Sequence, residues 1–186
     1  MKKWMFSLAA ILLLSAPGFA ADARLRPQSW ATPVLSENLH NWYQVDQLVY
    51  RSEQPDAEAM AEVEKFGIRR VLTLREYHDD EDETKASGLQ IFRIPMNAAK
   101  IETKDVVQAL KIIKASDEPI LVHCWHGSDR TGTVIAMYRI VEQGWSKEAA
   151  IDELKNGGYG YHSIYGNIID FINNADIDNL KKQIEE

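Results

Sequence analysis

The stretch that most constrains this chain is Pro119-Ile120-Leu121-Val122-His123-Cys124-Trp125-His126-Gly127-Ser128-Asp129-Arg130-Thr131-Gly132. Pro119 to His123 is a short apolar run bounded by a proline and reads as a buried strand. After Arg130, the pattern Thr133, Val134, Ala136, Met137, Ile140 and Val141 reads as a largely buried helix that ends at Gly144. A tight loop joins the two, and it holds the chain's single cysteine. A buried strand that feeds directly into a buried helix is half of a parallel crossover, so the chain is committed to an α/β layer. In such layers ligands bind at the carboxyl ends of the strands, which is where Cys124 falls.

The flanking sequence supplies the rest of the layer. Trp42 to Arg51 is rich in aromatic and branched residues and predicts a strand or hairpin, followed by a turn at Ser52-Glu53-Gln54-Pro55. Pro55-Asp56 then open a helix in which Ala59, Met60, Val63 and Phe66 recur at helical spacing and which Gly67 ends. Ile68 to Leu74 and Leu89 to Pro95 predict further strands. Between them, the run His78-Asp79-Asp80-Glu81-Asp82-Glu83 reads as a solvated loop leading into a short helix that stops at Gly88. Thr103 to Ala115 is amphipathic, with Val106, Val107, Leu110 and Ile113 on one side. Helices are also expected from Ser146 to Asn156, from about His162 to Asn174, and at the C-terminus. The expected fold is α/β, a central mostly parallel sheet flanked by helices.

The N-terminal residues have the layout of a secretory signal peptide: Lys2 and Lys3, an apolar run from Trp4 to Leu14, and small residues Gly18 and Ala20 before a cleavage point after Ala20. The expected organisation is a signal peptide at 1–20, an N-terminal arm at 21–38 that is either ordered or a loose leader, and a single folded domain at 39–186. No other stretch is apolar enough to span a bilayer, so no stable membrane insertion is expected once the signal is cleaved, and the mature chain is expected to be periplasmic or secreted. The formal charge of the whole chain is −7. Losing Lys2 and Lys3 makes it more negative still, which argues against nucleic acid or an anionic membrane as partner. A lone cysteine in an exported protein forms no internal disulfide, so it is either buried and inert or it is used.

The loop chemistry favours use. Five residues separate Cys124 from Arg130, Gly127 permits a tight turn, and Thr131-Gly132 start the helix. Backbone N–H groups of such a loop converge on an oxyanion, the helix N-terminus adds partial positive charge, and a guanidinium grips two oxygens at once. The same field favours the thiolate, which attacks phosphorus. Cys124 is thus the expected nucleophile and Arg130 the phosphate clamp. Thr131 or Ser128 is expected to hydrogen-bond the sulfur, His123 to orient the loop, and Trp125 and His126 to form the rim of the pocket. Trp125, His126, Gly127, Ser128 and Thr131 are therefore the expected substrate-binding residues. The chemistry requires no metal and no cofactor.

His123-Cys124, Gly127 and Arg130-Thr131-Gly132 resemble the signature of the dual-specificity-like branch of the protein tyrosine phosphatases. Tyr50-Arg51-Ser52-Glu53-Gln54-Pro55 is similar to the segment that opens compact bacterial and plant-fungal atypical members. With the export signal, the resemblance is to bacterial periplasmic tyrosine phosphatases of the TpbA type, over residues 40 to 175. It implies a cysteine-phosphatase fold, a phosphocysteine intermediate, and a phosphorylated protein as substrate, dephosphorylated at tyrosine, with serine and threonine as further targets.

One position departs from that pattern. Family members place an aspartic acid on the loop after the Leu89–Pro95 strand to protonate the leaving oxygen, and this chain has Asn97 there. Such a proton is worth about 100-fold to 10,000-fold in rate. Asp129, Glu102 and Asp105 are the candidates to replace it. Asp129 is preferred because its place before Arg130 is similar to the Asp-Arg-Thr of myotubularin-like lipid phosphatases. Without any acid, aryl phosphates and phosphoanhydrides would be favoured over alkyl phosphates. Inositol polyphosphates or pyrophosphates are the alternative substrates, but His126 and Lys100 are the only basic groups expected near the mouth, which favours phosphotyrosine. A rhodanese-like sulfurtransferase is disfavoured by Arg130-Thr131-Gly132, and a non-catalytic phosphate-binding pseudophosphatase by the intact Cys124 and Arg130.

Overall fold

The computed structural model describes residues 26–186; the signal peptide assigned to 1–20 lies outside them. Six strands form one mixed sheet: β1 (Thr32–Pro33), β2 (Tyr43–Gln44), β3 (Val49–Ser52), β4 (Arg70–Thr73), β5 (Gln90–Arg93) and β6 (Ile120–His123), in the order β1-β2-β3-β6-β4-β5. The first three run antiparallel as a meander, and β3, β6, β4 and β5 are mutually parallel. The helices are α1 (Ala57–Phe66), α2 (Glu81–Thr84), α3 (Thr103–Lys114), α4 (Asp129–Val141), α5 (Lys147–Asn156), α6 (Gly166–Asn174) and α7 (Ile177–Glu185), with a 3-10 turn at Ser163–Tyr165. The mostly parallel sheet flanked by helices is the architecture the sequence predicts.

Strand alternation divides the core. Val49, Leu72, Ile120 and Val122 face a larger cluster built with α3, α4, α6 and α7. Tyr50, Val71 and Leu121 face a smaller one with Ala59, Met60 and Val63 of α1. Helix α4 runs through the larger cluster, and only Arg130 and Tyr138 of its residues escape full burial. Local signals end the elements where expected. The Asp56 carboxylate accepts from the Ala59 N–H at 2.9 Å, Gly67 closes α1 at φ 113°, and Ser146 caps α5.

The arm joins the fold earlier than Leu39. Thr32 and Pro33 pair with Gln44 and Tyr43, and Ala31 is buried in the larger cluster. A two-residue edge strand holding a proline has no periodicity to read, and tertiary contacts alone hold it in place. Arg26 anchors the arm: its guanidinium donates to the carbonyls of Ala31 and Gly157 and to the Tyr159 hydroxyl. Beneath it lies a buried ion pair in which the Arg139 Nε and Nη2 donate to Glu153 at 2.9 and 3.0 Å. Among the described residues, no helix is long and apolar enough to cross a membrane.

Candidate active site

The register of the parallel strands sets the site. Ser52 of β3 and Thr73 of β4 both lie level with His123 of β6. The residues that follow these strands therefore emerge together around Cys124, which is 2 % exposed at the loop's base.

From Cys124 onward, successive carbonyls of the loop turn outward to named partners. The Cys124 carbonyl faces His123 Nδ1 at 3.3 Å and the Trp125 carbonyl accepts from the Gln54 N–H at 3.0 Å. The His126 carbonyl accepts from Asn41 Nδ2 at 2.7 Å and the Gly127 carbonyl from Arg51 Nη2. In a trans peptide the N–H of each next residue points opposite to the carbonyl. Outward carbonyls at 124–127 thus turn the N–H groups of 125–128 to the concave side, forming an anion nest that opens onto the N-terminus of α4. Gly127 is required for this path. Its φ is 68°, and an added Cβ would lie 2.4 Å from the Ser52 carbonyl oxygen. Arg51 supports the loop from behind, fully buried, with its guanidinium stacked 3.7 Å over the Tyr159 ring.

Arg130 sits in the first turn of α4, with Nη1 at 3.4–3.5 Å from the carbonyls of Met96 and Leu74. Its Nε is buried with no protein partner among the described residues, as is the Thr131 hydroxyl. The unspent Arg130 Nε suits an oxyanion, and the Thr131 hydroxyl makes no hydrogen bond to the Cys124 sulfur in this structure. Arg130 lines a cleft of about 350 Å³ with Arg75, Glu76, Tyr77, Asn97, Ala98, Trp125 and Tyr165. A hollow of about 440 Å³ lined by Thr103, Phe171 and Leu180 has no basic side chain on its walls.

Arg75 had no sequence signal. It follows β4, stacks on the half-exposed Trp125 ring at 4.2 Å and donates to Gln54 Oε1. Burial lowers its pKa, and the neighbouring Arg130 charge adds to that, while Asp80, Glu83 and Cys124 oppose it. The cleft mouth is therefore more basic than His126 and Lys100 alone would make it. Trp125 lines the Arg130 cleft, whereas His126 lines a separate cavity with Asn41, Glu53 and His162.

The acidic run is not simply a solvated loop. Asp80 is fully buried at φ 65°, with Oδ2 2.7 Å from His123 Nε2 and Oδ1 accepting from Gln54 Nε2 at 2.8 Å. Burial alone would raise its pKa. The hydrogen bond and charge of His123, with Gln54 and His78, outweigh this and hold the carboxyl below the ordinary range. Asp80 braces His123, and His123 in turn faces the Cys124 carbonyl, in line with its expected orienting role.

The remaining candidates separate. The Ser128 hydroxyl donates to the Tyr159 carbonyl at 2.6 Å, so it pins the segment after α5 and is not the sulfur's hydrogen-bond donor. Asp129 is 6 % exposed, and its oxygens accept from the His162 N–H at 3.0 Å and lie 2.8 Å from His162 Nδ1. Asn97 Oδ1 accepts from the Ala99 N–H and shapes its own turn. Glu102 is held ionised by Lys104 and Lys100, with its pKa lowered, whereas burial raises that of Asp105.

A family model described as a polymorphic toxin system DSP-PTPase phosphatase matches residues 46–144. The dual specificity protein phosphatase TpbA of Pseudomonas aeruginosa is 33% identical, over 94% of this chain and 81% of that protein. The crystal structure of TpbA matches with a TM-score of 0.78 at 30% identity, covering 87% of this chain and 99% of that one. A Cys-to-Ser TpbA in complex with pTyr matches with the same TM-score. The core catalytic domain of the PP-IP phosphatase SIW14 from S. cerevisiae matches with a TM-score of 0.66 at 27% identity, over 76% of this chain and 89% of that one.

Proposed function

We propose, from the premise that this chain belongs to the dual-specificity-type protein tyrosine phosphatase family, that it hydrolyses phosphotyrosine, and also phosphoserine and phosphothreonine, through a phosphocysteine. The observation that carries this reading is the run of outward carbonyls from Cys124 to Gly127, which turns an amide nest toward the cysteine beside Arg130. The Cys124 thiolate attacks phosphorus in line, so that the S–P bond forms as the bond to the leaving oxygen breaks. Water then attacks phosphorus, the S–P bond breaks, and orthophosphate leaves. The nest and Arg130 hold the equatorial oxygens in both steps. Thr131, whose buried hydroxyl is unspent, stabilises the departing sulfur in the second step.

The leaving-group proton is assigned to Asp129. It directly precedes Arg130, and the half-exposed His162 ring on its Oδ2 links it to solvent. Asp129→Asn is expected to slow alkyl phosphates by about 10²-fold to 10³-fold and aryl phosphates much less, since a phenolate leaves without help. Equal losses on p-nitrophenyl phosphate and phosphoserine peptides would reassign Asp129 to holding the segment at His162.

A second reading, hydrolysis of inositol polyphosphates or pyrophosphates, is favoured by Arg75, which puts a second guanidinium in the Arg130 cleft. The SIW14 match agrees with it. A substrate panel separates the two: vanadate-sensitive release of phosphate from phosphotyrosine peptides well above that from phytate supports the first, and the reverse order the second. Activity toward p-nitrophenyl phosphate would exclude a purely phosphate-binding role.

Export by residues 1–20 places this activity in the periplasm or outside the cell. Lys2, Lys3 and the short apolar run support it. Sequencing the N-terminus of the exported protein is expected to begin at Ala21; an intact Met1 would contradict cleavage.

A further inference from the structure

We propose that His126, Asp129 and His162 form a site for a zinc-class divalent cation on the flank of the phosphate loop. One donor atom from each of these side chains lies within 4.8 Å of the others. The two imidazole rings are 5.2 Å apart between centroids, and Asp129 bridges to His162 at 2.8 Å. Tetrahedral zinc with bonds of about 2.0–2.1 Å needs donors roughly 3.4 Å apart, so closure asks only for small side-chain rotations. Two imidazoles and one carboxylate select zinc, cobalt or copper over magnesium and calcium, which prefer all-oxygen shells.

Two further observations fit a cation here. The rings face a cavity of about 390 Å³ that is also lined by Glu53 and Asn41, so a water as fourth ligand has room. The backbones that carry the ligands are already tied together. Asn41 Nδ2 donates to the carbonyls of both His126 and Tyr159, and Ser128 donates to that of Tyr159. A preorganised frame lowers the ordering cost of binding.

Occupancy would lock the loop to the segment before the 3-10 turn and draw Asp129 into coordination. The bound enzyme is therefore inhibited, a consequence that rests on the phosphatase reading, whereas metal binding itself does not. The test uses Zn²⁺ alone, titrated by calorimetry into the full Cys124→Ser protein, which removes the thiolate as a competing ligand. One equivalent is expected to bind, and His162→Ala in the same background should weaken it by roughly 100-fold or more, beyond the 10–100-fold typical of losing an outer partner. Co²⁺ in its place should give the visible absorption of a four-coordinate ion. His126→Gln, on the other segment, serves as the second variant should His162→Ala fail to fold by circular dichroism. Absence of stoichiometric binding, or affinity unchanged in both variants, overturns the site. Zinc inhibition of turnover that is equal in the otherwise wild-type enzyme and His162→Gln overturns the regulatory consequence alone.

Discussion

Cys124→Ser is expected to lower turnover of p-nitrophenyl phosphate and phosphotyrosine peptides by on the order of 10⁵-fold or more, the scale seen when a covalent nucleophile is removed. A hydroxyl is far less ionised than a thiol in the same field and would form a phosphate ester that water releases slowly. Binding should persist. The nest is made of backbone amides held by Asn41, Arg51 and Gln54, and none of these contacts involves the sulfur. A phosphotyrosine peptide should therefore still bind by calorimetry within a few-fold of its wild-type affinity. Turnover surviving at more than about a hundredth of the wild-type rate would remove Cys124 from the reaction. Loss of binding along with turnover would show that the loop collapses without its sulfur.

The largest loss of stability is expected at Glu153. This carboxylate is 2 % exposed and receives two hydrogen bonds from Arg139, itself 3 % exposed. It also accepts from the Ala31 N–H at 2.7 Å and the Tyr159 hydroxyl at 3.0 Å. One group therefore links α4, α5, the N-terminal arm and the segment that holds Ser128. Glu153→Ala strands a buried guanidinium, and the expected cost is about 3–5 kcal/mol in urea unfolding at neutral pH. Replacing both partners, Arg139→Met with Glu153→Leu, removes both charges and should cost less than the single change, because the uncompensated charge is what hurts most. A single-variant loss below about 1 kcal/mol would mean that water reaches and compensates Arg139.

The acidic run shows where local reading stops. As a string of six polar residues, His78 to Glu83 has no apolar spacing and reads as solvated. Asp80 is nevertheless the most buried of them, because α2 brings it over the end of β6, where His123 needs an acceptor. Arg75, and the part Gln54 plays beyond its turn, escaped notice for a related reason. Each follows a different strand, and only the shared register of β3, β4 and β6 sets them beside each other at the mouth of the loop.

The sequence by itself determined the layer architecture, most helix ends, and the Cys124–Arg130 loop with its Gly127 turn. These follow from contacts between residues near in the chain: caps, apolar periodicity, and a strand covalently joined to a helix. The tertiary structure alone decided which distant groups serve that loop. Arg51, Asp80, Arg75 and His162 reach it from separate elements, and Asp129 and Ser128 are turned toward the segment before the 3-10 turn. Strand register and helix packing set those meetings, and neither leaves a mark in local composition.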